Sequence, residues 1–479
     1  MEVMKRRDFI KSGSAAVLGT SLSNSLIALP YFSMGDRDIY GGWEGKKFNA
    51  TGYFRLEKDE RWWLVSPEGN AFLSFGINHL HTDWWHQSYN SEVWANRFNL
   101  SDGYTFEEFR LGLRNWFHEE CDRVGFNTAS VHTDLTTLNT PVSIMPYVRP
   151  IHFVDIPHWK DEIPDTNFVD VFSEEYAQHC DRMAKEFAGP LKDDPFLLAY
   201  TMTDCPLFTE EDCRERDDVI GGDRRKSRIG WPRRLRNFGA DAPGKQTYVI
   251  KMRELYKDEI NEFNNTYGTT FGSFYELAEA REWRPGTDLS NGFETRDNIE
   301  FLKIIVAKYY EIARDSIYRY DPNHMFFGDK LNANTDTVDT VLPVTEKYTD
   351  LVMYQMYAKY EVQESKLDRW AKVTKKPFIN GDSSYSVPTE YMPRPYGPHA
   401  DDQEQRAQWT KEFFEKAFAR PDFVGWHYCG LIDAPNMMKG RLGRQHAGIL
   451  NTDGIPYQPI YKVLTELSEK LYELAIRGV

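Results

Sequence analysis

The chain has little cysteine and no long apolar run, and both shortages narrow what it can be. Its five cysteines among 479 residues, Cys121, Cys180, Cys205, Cys213 and Cys429, are odd in number and share no ligand spacing. Neither a disulfide framework nor a zinc site is written in them, and they read as small buried hydrophobes. No stretch is apolar enough to span a bilayer. A formal charge of −15 leaves no basic excess for nucleic acid or an anionic membrane, so neither is expected as a partner. Internal repeats and low-complexity segments are missing as well, so no separate sugar-binding module is expected.

What the chain does have is aromatic surface, with 13 Trp and 27 Tyr. Sugars stack their flat C–H faces on such rings, so the composition suits a carbohydrate cleft, although most aromatics in any protein fill cores. The N-terminus carries Lys5-Arg6-Arg7-Asp8-Phe9-Ile10-Lys11 and then a mild apolar, small-residue stretch from Ser12 to about Leu29. This is the twin-arginine export pattern, so residues 1–33 read as a signal segment and the working protein is expected in the periplasm or outside the cell. Residues 34–479 read as one catalytic domain.

That domain opens with hairpin alternation through Tyr53-Phe-Arg-Leu and Trp62-Trp-Leu-Val, closed by the turn Ser66-Pro-Glu-Gly-Asn70. Eight short apolar runs of the kind buried on both faces follow. They lie at 71–79, 126–132, about 147–154, 196–204, 325–330, 351–357, 377–382 and 423–428. Helical patterns stand between most of them, strongest at 106–124, 173–188, 248–263, 299–320 and 404–419. Eight strands alternating with helices predict a (β/α)8 barrel of the TIM type. More than 110 residues separate the fourth and fifth runs, so an insertion at about 205–295 is expected on the catalytic side. Within it, Arg224-Arg-Lys226-Ser-Arg228 and Arg233-Arg234-Leu-Arg236 form a basic cluster, either a solvated loop or a patch for sulfate or carboxylate groups of a glycan.

A barrel collects its reacting groups from the C-terminal ends of different strands, because only that rim projects side chains into one cleft. The fourth run ends in Asp204 before Cys205-Pro206, and the seventh ends in Asp382. A lone Asp at such a junction is often a helix cap or salt bridge, but a pair across the mouth suits glycoside cleavage, with Asp204 as acid and Asp382 as nucleophile or base. Other strand ends offer sugar contacts: Asn78, His79, His132, Asp134, Lys330, Asn332, Tyr354, Tyr357, Trp426 and His427, with Trp426 as the stacking floor. The histidines at 79, 81, 86 and 132 lack an acidic or Cys ligand at a telling offset, so no metal and no cofactor are expected. A Ser nucleophile is not supported, since Gly381-Asp382-Ser383 lacks the Gly-x-Ser-x-Gly elbow.

Several strings resemble the agarases of glycoside hydrolase family 50 and their barrel relatives. These are Trp62-Trp63-Leu-Val-Ser-Pro-Glu-Gly-Asn70 leading to Phe75-Gly-Ile-Asn78, then Gly125-Phe-Asn-Thr128 and Asp194-Pro-Phe-Leu-Leu-Ala-Tyr200. Phe263-Asn-Asn-Thr-Tyr-Gly268, Gly425-Trp-His-Tyr428 and the tail Gly448-Ile-Leu-Asn-Thr-Asp-Gly-Ile-Pro-Tyr457 follow in the same order, from about residue 50 to the C-terminus. The resemblance implies hydrolysis of a polysaccharide or its oligosaccharides by carboxylates on strands four and seven. It also exposes a departure, since the fourth strand of such relatives ends in Asn-Glu and the seventh carries Glu. Here those places hold Thr203-Asp204 and Asp382.

Arms one methylene shorter are expected to widen the carboxyl gap from about 5 Å toward the roughly 6.5–9.5 Å of inverting enzymes. Two further expectations compete: a non-catalytic glycan-binding barrel that has lost the Glu pair, and a hydrolase using Glu210 or Glu211 instead. The basic cluster makes an anionic galactan or uronate-containing glycan the preferred substrate, with a neutral β-galactoside close behind.

Overall fold

The computed structural model describes residues 37–139, 143–154, 169–206, 208, 230–287, 292–335, 337–435 and 445–478. Residues 1–33, expected to be a signal segment, and Glu210, Glu211 and Arg224–Arg228 lie outside these residues.

The described chain enters through a four-stranded antiparallel sheet: β1 (Trp43–Lys47), β2 (Arg55–Lys58), β3 (Trp62–Val65) and β4 (Asn70–Phe72), in the order β1-β4-β3-β2. Eight parallel strands then close into a barrel: β5 (Ser74–Ile77), β6 (Thr128–Ala129), β7 (Tyr147–Pro150), β8 (Leu197–Asp204), β9 (Met325–Asn332), β10 (Val352–Gln355), β11 (Phe378–Ser383) and β12 (Phe423–Tyr428). Each of the eight apolar runs of the sequence contributes one barrel strand. The first does more than that. Its leading residues, Ala71 and Phe72, belong to β4 of the entry sheet, and the chain passes into β5 through Leu73, whose carbonyl accepts from Asn127 Nδ2 at 2.9 Å. An unbroken apolar run hides this change because both segments are buried.

The entry sheet covers the N-terminal end of the barrel. Arg61, fully buried, donates to the carbonyls of Phe418 and Ala475 at 2.8 Å and of Phe423 at 2.6 Å, while the Trp62 amide reaches Pro421 O at 2.8 Å. A guanidinium is suited to this, since its donors satisfy several otherwise orphaned carbonyls at once. The opposite rim is left open for chemistry.

The outer helices follow local rules. The helix Phe106–Val124 starts at Thr105, which forms a reciprocal capping box with Glu108, and stops at Gly125, left-handed at φ 90°. The pattern at 248–263 instead makes two helices, Pro243–Leu255 and Ile260–Tyr267. Between them Lys257 and Asp258 are left-handed (φ 54° and 62°), and Arg253 clasps Asp258, an arrangement that apolar periodicity does not register.

The described half of the basic cluster faces inward. Arg233 and Arg236 both pair with Glu294, at 2.9 and 2.7 Å, and Arg236 also lies 4.3 Å from the centre of the Trp283 ring. Arg234 lies over Phe238. Arg233 and Arg236 are therefore spent on tying the insertion to the long helix Phe293–Tyr320, rather than offered as forks to an anionic ligand.

Candidate active site

At the open rim a buried lysine joins the two carboxylates singled out by sequence. Lys330, near the end of β9, places Nζ 3.0 Å from Asp204 Oδ1 and 2.7 Å from Asp382 Oδ2. Asp204 Oδ2 meets His132 Nε2 at 2.9 Å. On the other side, Asp382 Oδ1 accepts from Tyr357 Oη at 2.9 Å and Asn78 Nδ2 at 3.3 Å. Burial works against ionisation of Asp204, but Lys330 and His132 outweigh it and hold its carboxyl well below the usual range. Burial likewise opposes the charge on Lys330, and the carboxylates of Asp204 and Asp382 raise its pKa above the ordinary lysine value.

The expected widening of the carboxylate gap is bounded on the side that faces Lys330. The oxygens facing each other across Lys330 can be no more than about 5.7 Å apart, the sum of their two contacts, which is below the inverting range. The reason is β9: its lysine draws both short side chains toward one point. A cavity of about 390 Å³ adjoins the Asp204 side and is lined in part by His132, Pro150, Thr201 and Thr203.

Six of the twelve predicted residues form this connected network or border it directly: Asp204, Asp382, Lys330, His132, Tyr357 and Asn78. His79 is stacked at 4.6 Å on His132 and at 4.7 Å on Trp84. Of the remaining five, Asp134 lines the same cavity as His132 and Asp204, and the other four do other work. Asp134 receives Thr82 Oγ1 and Thr137 Oγ1, both at 2.7 Å, and the Thr137 amide, so it secures the short helix Leu135–Asn139. Asn332 Oδ1 accepts the Asn334 amide and shapes the turn after β9.

Tyr354 points away from the mouth to Gln363 and Trp370. Trp426 is not a sugar floor. It is buried with its ring against Phe413 at 4.5 Å and its Nε1 on Ser383, because alternate residues of a barrel strand face the helix layer. His427 points inward but lies sealed beneath the mouth, with Nε2 2.8 Å from Ser74 Oγ and Nδ1 2.5 Å from Ser130 Oγ.

His427 also gives a stability prediction. Burial, aided by Lys330 and opposed by Asp382, pulls its pKa down to about 3. An unfolded histidine protonates near 6.5, so between these values the unfolded chain binds a proton that the folded chain refuses. Stability should therefore fall as pH drops from 6.5 toward 3, by about 2 kcal/mol at pH 5 from this group alone. Thermal midpoints between pH 7.5 and 5 should drop less steeply for His427→Gln than for the parent; parallel curves would show that His427 is not responsible.

Sequence reasoning read Cys429 as a small buried hydrophobe beside a strand end and placed no histidine near it; its Sγ lies 3.1 Å from His446 Nδ1, and neither His446 nor Tyr396, which packs on it at 4.9 Å, was singled out. Their offsets follow no repeat; loops alone bring them to the rim. Among the described residues, His79, Cys429 and His446 place ligand atoms within 4.8 Å of one another, as do His79, His132 and Asp382.

The fold and rim together define a (β/α)8 barrel with a lysine-bridged carboxylate pair on its fourth and seventh strands. No family model matches the chain. It is similar to β-agarase B of Vibrio sp. (strain JT0107), at 23% identity over 92% of this chain and 50% of that protein, and at 22% to β-agarase A of the same strain. The chain thus spans about half the length of the curated relatives it matches. Among solved structures, an exo-β-agarase superposes with a TM-score of 0.74 at 19% identity, covering 92% of this chain and 68% of that one. A β-galactosidase from Marinomonas ef1 gives 0.54 at 12% identity, covering 85% and 60%. The agarase resemblance carried by the sequence strings thus extends over nearly the whole chain, and the barrel is shared with glycosidases.

Proposed function

We propose that this protein is a retaining glycoside hydrolase acting on an agar-type galactan or its oligosaccharides. The observation that carries this reading is the carboxylate pair, on the fourth and seventh barrel strands and held within about 5.7 Å, in a chain similar to β-agarases. Asp382 is the nucleophile: Lys330, Tyr357 and Asn78 all donate to its oxygens, which leaves the carboxylate to act as acceptor and attacking base.

Asp204 does not work alone as the acid. An ionised carboxylate only accepts, so the proton in its 2.9 Å contact belongs to His132 Nε2. Asp204 and His132 act as one unit that delivers this proton to the leaving oxygen.

One feature favours a second reading, a non-catalytic glycan-binding barrel. The ammonium of Lys330 sits between the carboxylates, where the cationic sugar of a glycosidic transition state would develop charge. Product sizing on agarose, porphyran-type sulfated galactan and neutral β-galactosides separates the readings, since a binder releases nothing. Proton NMR of the first-released sugar should show the anomer of the cleaved bond; the opposite anomer would refute retention.

A further inference from the structure

The rim also holds a soft ligand set that this hydrolytic reading leaves unused. His79 follows β5, Cys429 follows β12, and these strands are neighbours where the barrel closes. His446 returns to the same point on a segment tied to Ala434 by reciprocal backbone hydrogen bonds of 2.9 and 3.1 Å. Cys429 is buried, and His79 and His446 are each only 9% exposed.

Two observations single out His79. Its Nε2 is buried with no hydrogen-bond partner, an arrangement that costs free energy unless something fills the missing place. Its backbone is left-handed at φ 61°, an uncommon conformation for a side-chain-bearing residue, and its ring is clamped between His132 and Trp84. The ring is thus held toward the cluster. Burial, with His132 and His446 adding to it, keeps His79 far below the ordinary histidine pKa, which is the neutral form a metal requires.

We propose that His79, Cys429 and His446 bind a zinc-type divalent ion, with an open fourth position toward Asp382. Two imidazoles and one thiolate are a borderline-soft donor set, suited to zinc and unsuited to calcium or magnesium, which take oxygen ligands. In tetrahedral zinc the ligand atoms stand about 3.3–3.6 Å apart, so atoms already within 4.8 Å need only a small contraction. The fourth position follows from the second grouping, in which His79 also lies beside His132 and Asp382.

Charge agrees as well. Asp204, Asp382 and a Cys429 thiolate against Lys330 leave two negative charges, which a divalent ion cancels. On binding, the Cys429 S–H bond breaks, a metal–sulfur bond forms and the proton passes to solvent; without the ion, burial and Asp382 keep the thiol protonated.

The test uses the full chain, metal-depleted by dialysis and titrated with Co²⁺. One equivalent should bind with a near-ultraviolet sulfur-to-cobalt charge-transfer band and tetrahedral visible bands, and one equivalent of Zn²⁺ should displace it. Cys429→Ser should remove the charge-transfer band, and both Cys429→Ser and His446→Gln should weaken Zn²⁺ binding by about 100-fold or more, with circular dichroism showing that each variant is folded. If the parent binds no cobalt, or binds it without the sulfur band, the proposal fails. Cys429 then serves only as a hydrogen-bonding thiol among His446, Tyr357 and Asp382. Persistence of the band in a folded Cys429→Ser variant would overturn it equally. None of these readouts depends on glycan hydrolysis, so the two proposals stand or fall separately.

Discussion

Asp382→Asn is expected to lower turnover of an agar-type galactan by more than about 1,000-fold while leaving oligosaccharide affinity within a few-fold of the parent. The substitution keeps the shape of the side chain, and an amide oxygen can still accept from Tyr357 or Asn78. What it loses is the negative charge that would attack the anomeric carbon. Asp204→Asn should also cost about 10²–10⁴-fold, and here the pH profile is the more telling readout. The carboxylate that contacts His132 is gone, so any limb of the profile set by Asp204 should vanish. Initial rates and calorimetric affinities for the parent and both variants decide the matter. Unchanged rates in Asp204→Asn would remove that residue from the reaction, and no turnover in the parent would leave the binding-protein reading.

Lys330→Met is expected to be the most destabilising single change at the rim. It strips the cation from between two carboxylates, one of which, Asp382, is buried. Breaking a buried ion pair from one end costs about 3–5 kcal/mol, and the partial exposure of Asp204 to the cleft places this case toward the lower figure.

The pH dependence has a definite sign. Asp204 has a folded pKa below its unfolded one, so its contribution is present above the unfolded value near 3.9 and is lost as pH falls through the folded value. Without Lys330 most of that contribution goes. Chemical denaturation should therefore show the widest gap between Lys330→Met and the parent near pH 7, narrowing toward pH 3. Adding Asp204→Asn to Lys330→Met should restore part of the loss, because one unpaired charge is removed. A gap that stays constant with pH would mean that Lys330 acts by packing alone.

The barrel was legible because its strands are buried on both faces. Burial of that kind writes short, dense apolar runs, and eight of them with helical patterns between most of them leave few other folds. The position of Asp204 was legible for a related reason: an acid directly after such a run, followed by Pro206, must sit on a rim. Trp426 shows where the same reasoning stops. Successive residues face opposite sides of the strand, and residue type alone does not say which side is the mouth. Arg233 and Arg236 were misplaced for a different reason, since their partner Glu294 lies about 60 residues away and composition cannot reveal it.

The amino-acid sequence by itself determined the alternation of barrel strands and helices, the closed barrel and the two strands that end in carboxylates, because periodicity and strand termini are local properties. Only the tertiary structure decided what those carboxylates face. Lys330 joins two residues 126 and 52 positions away, and His79, Cys429 and His446 converge from 350 residues and more of intervening chain. Such meetings arise from the closure of the barrel. Their chemistry is set by which charges end up within 3 Å of one another, a quantity with no counterpart in sequence spacing.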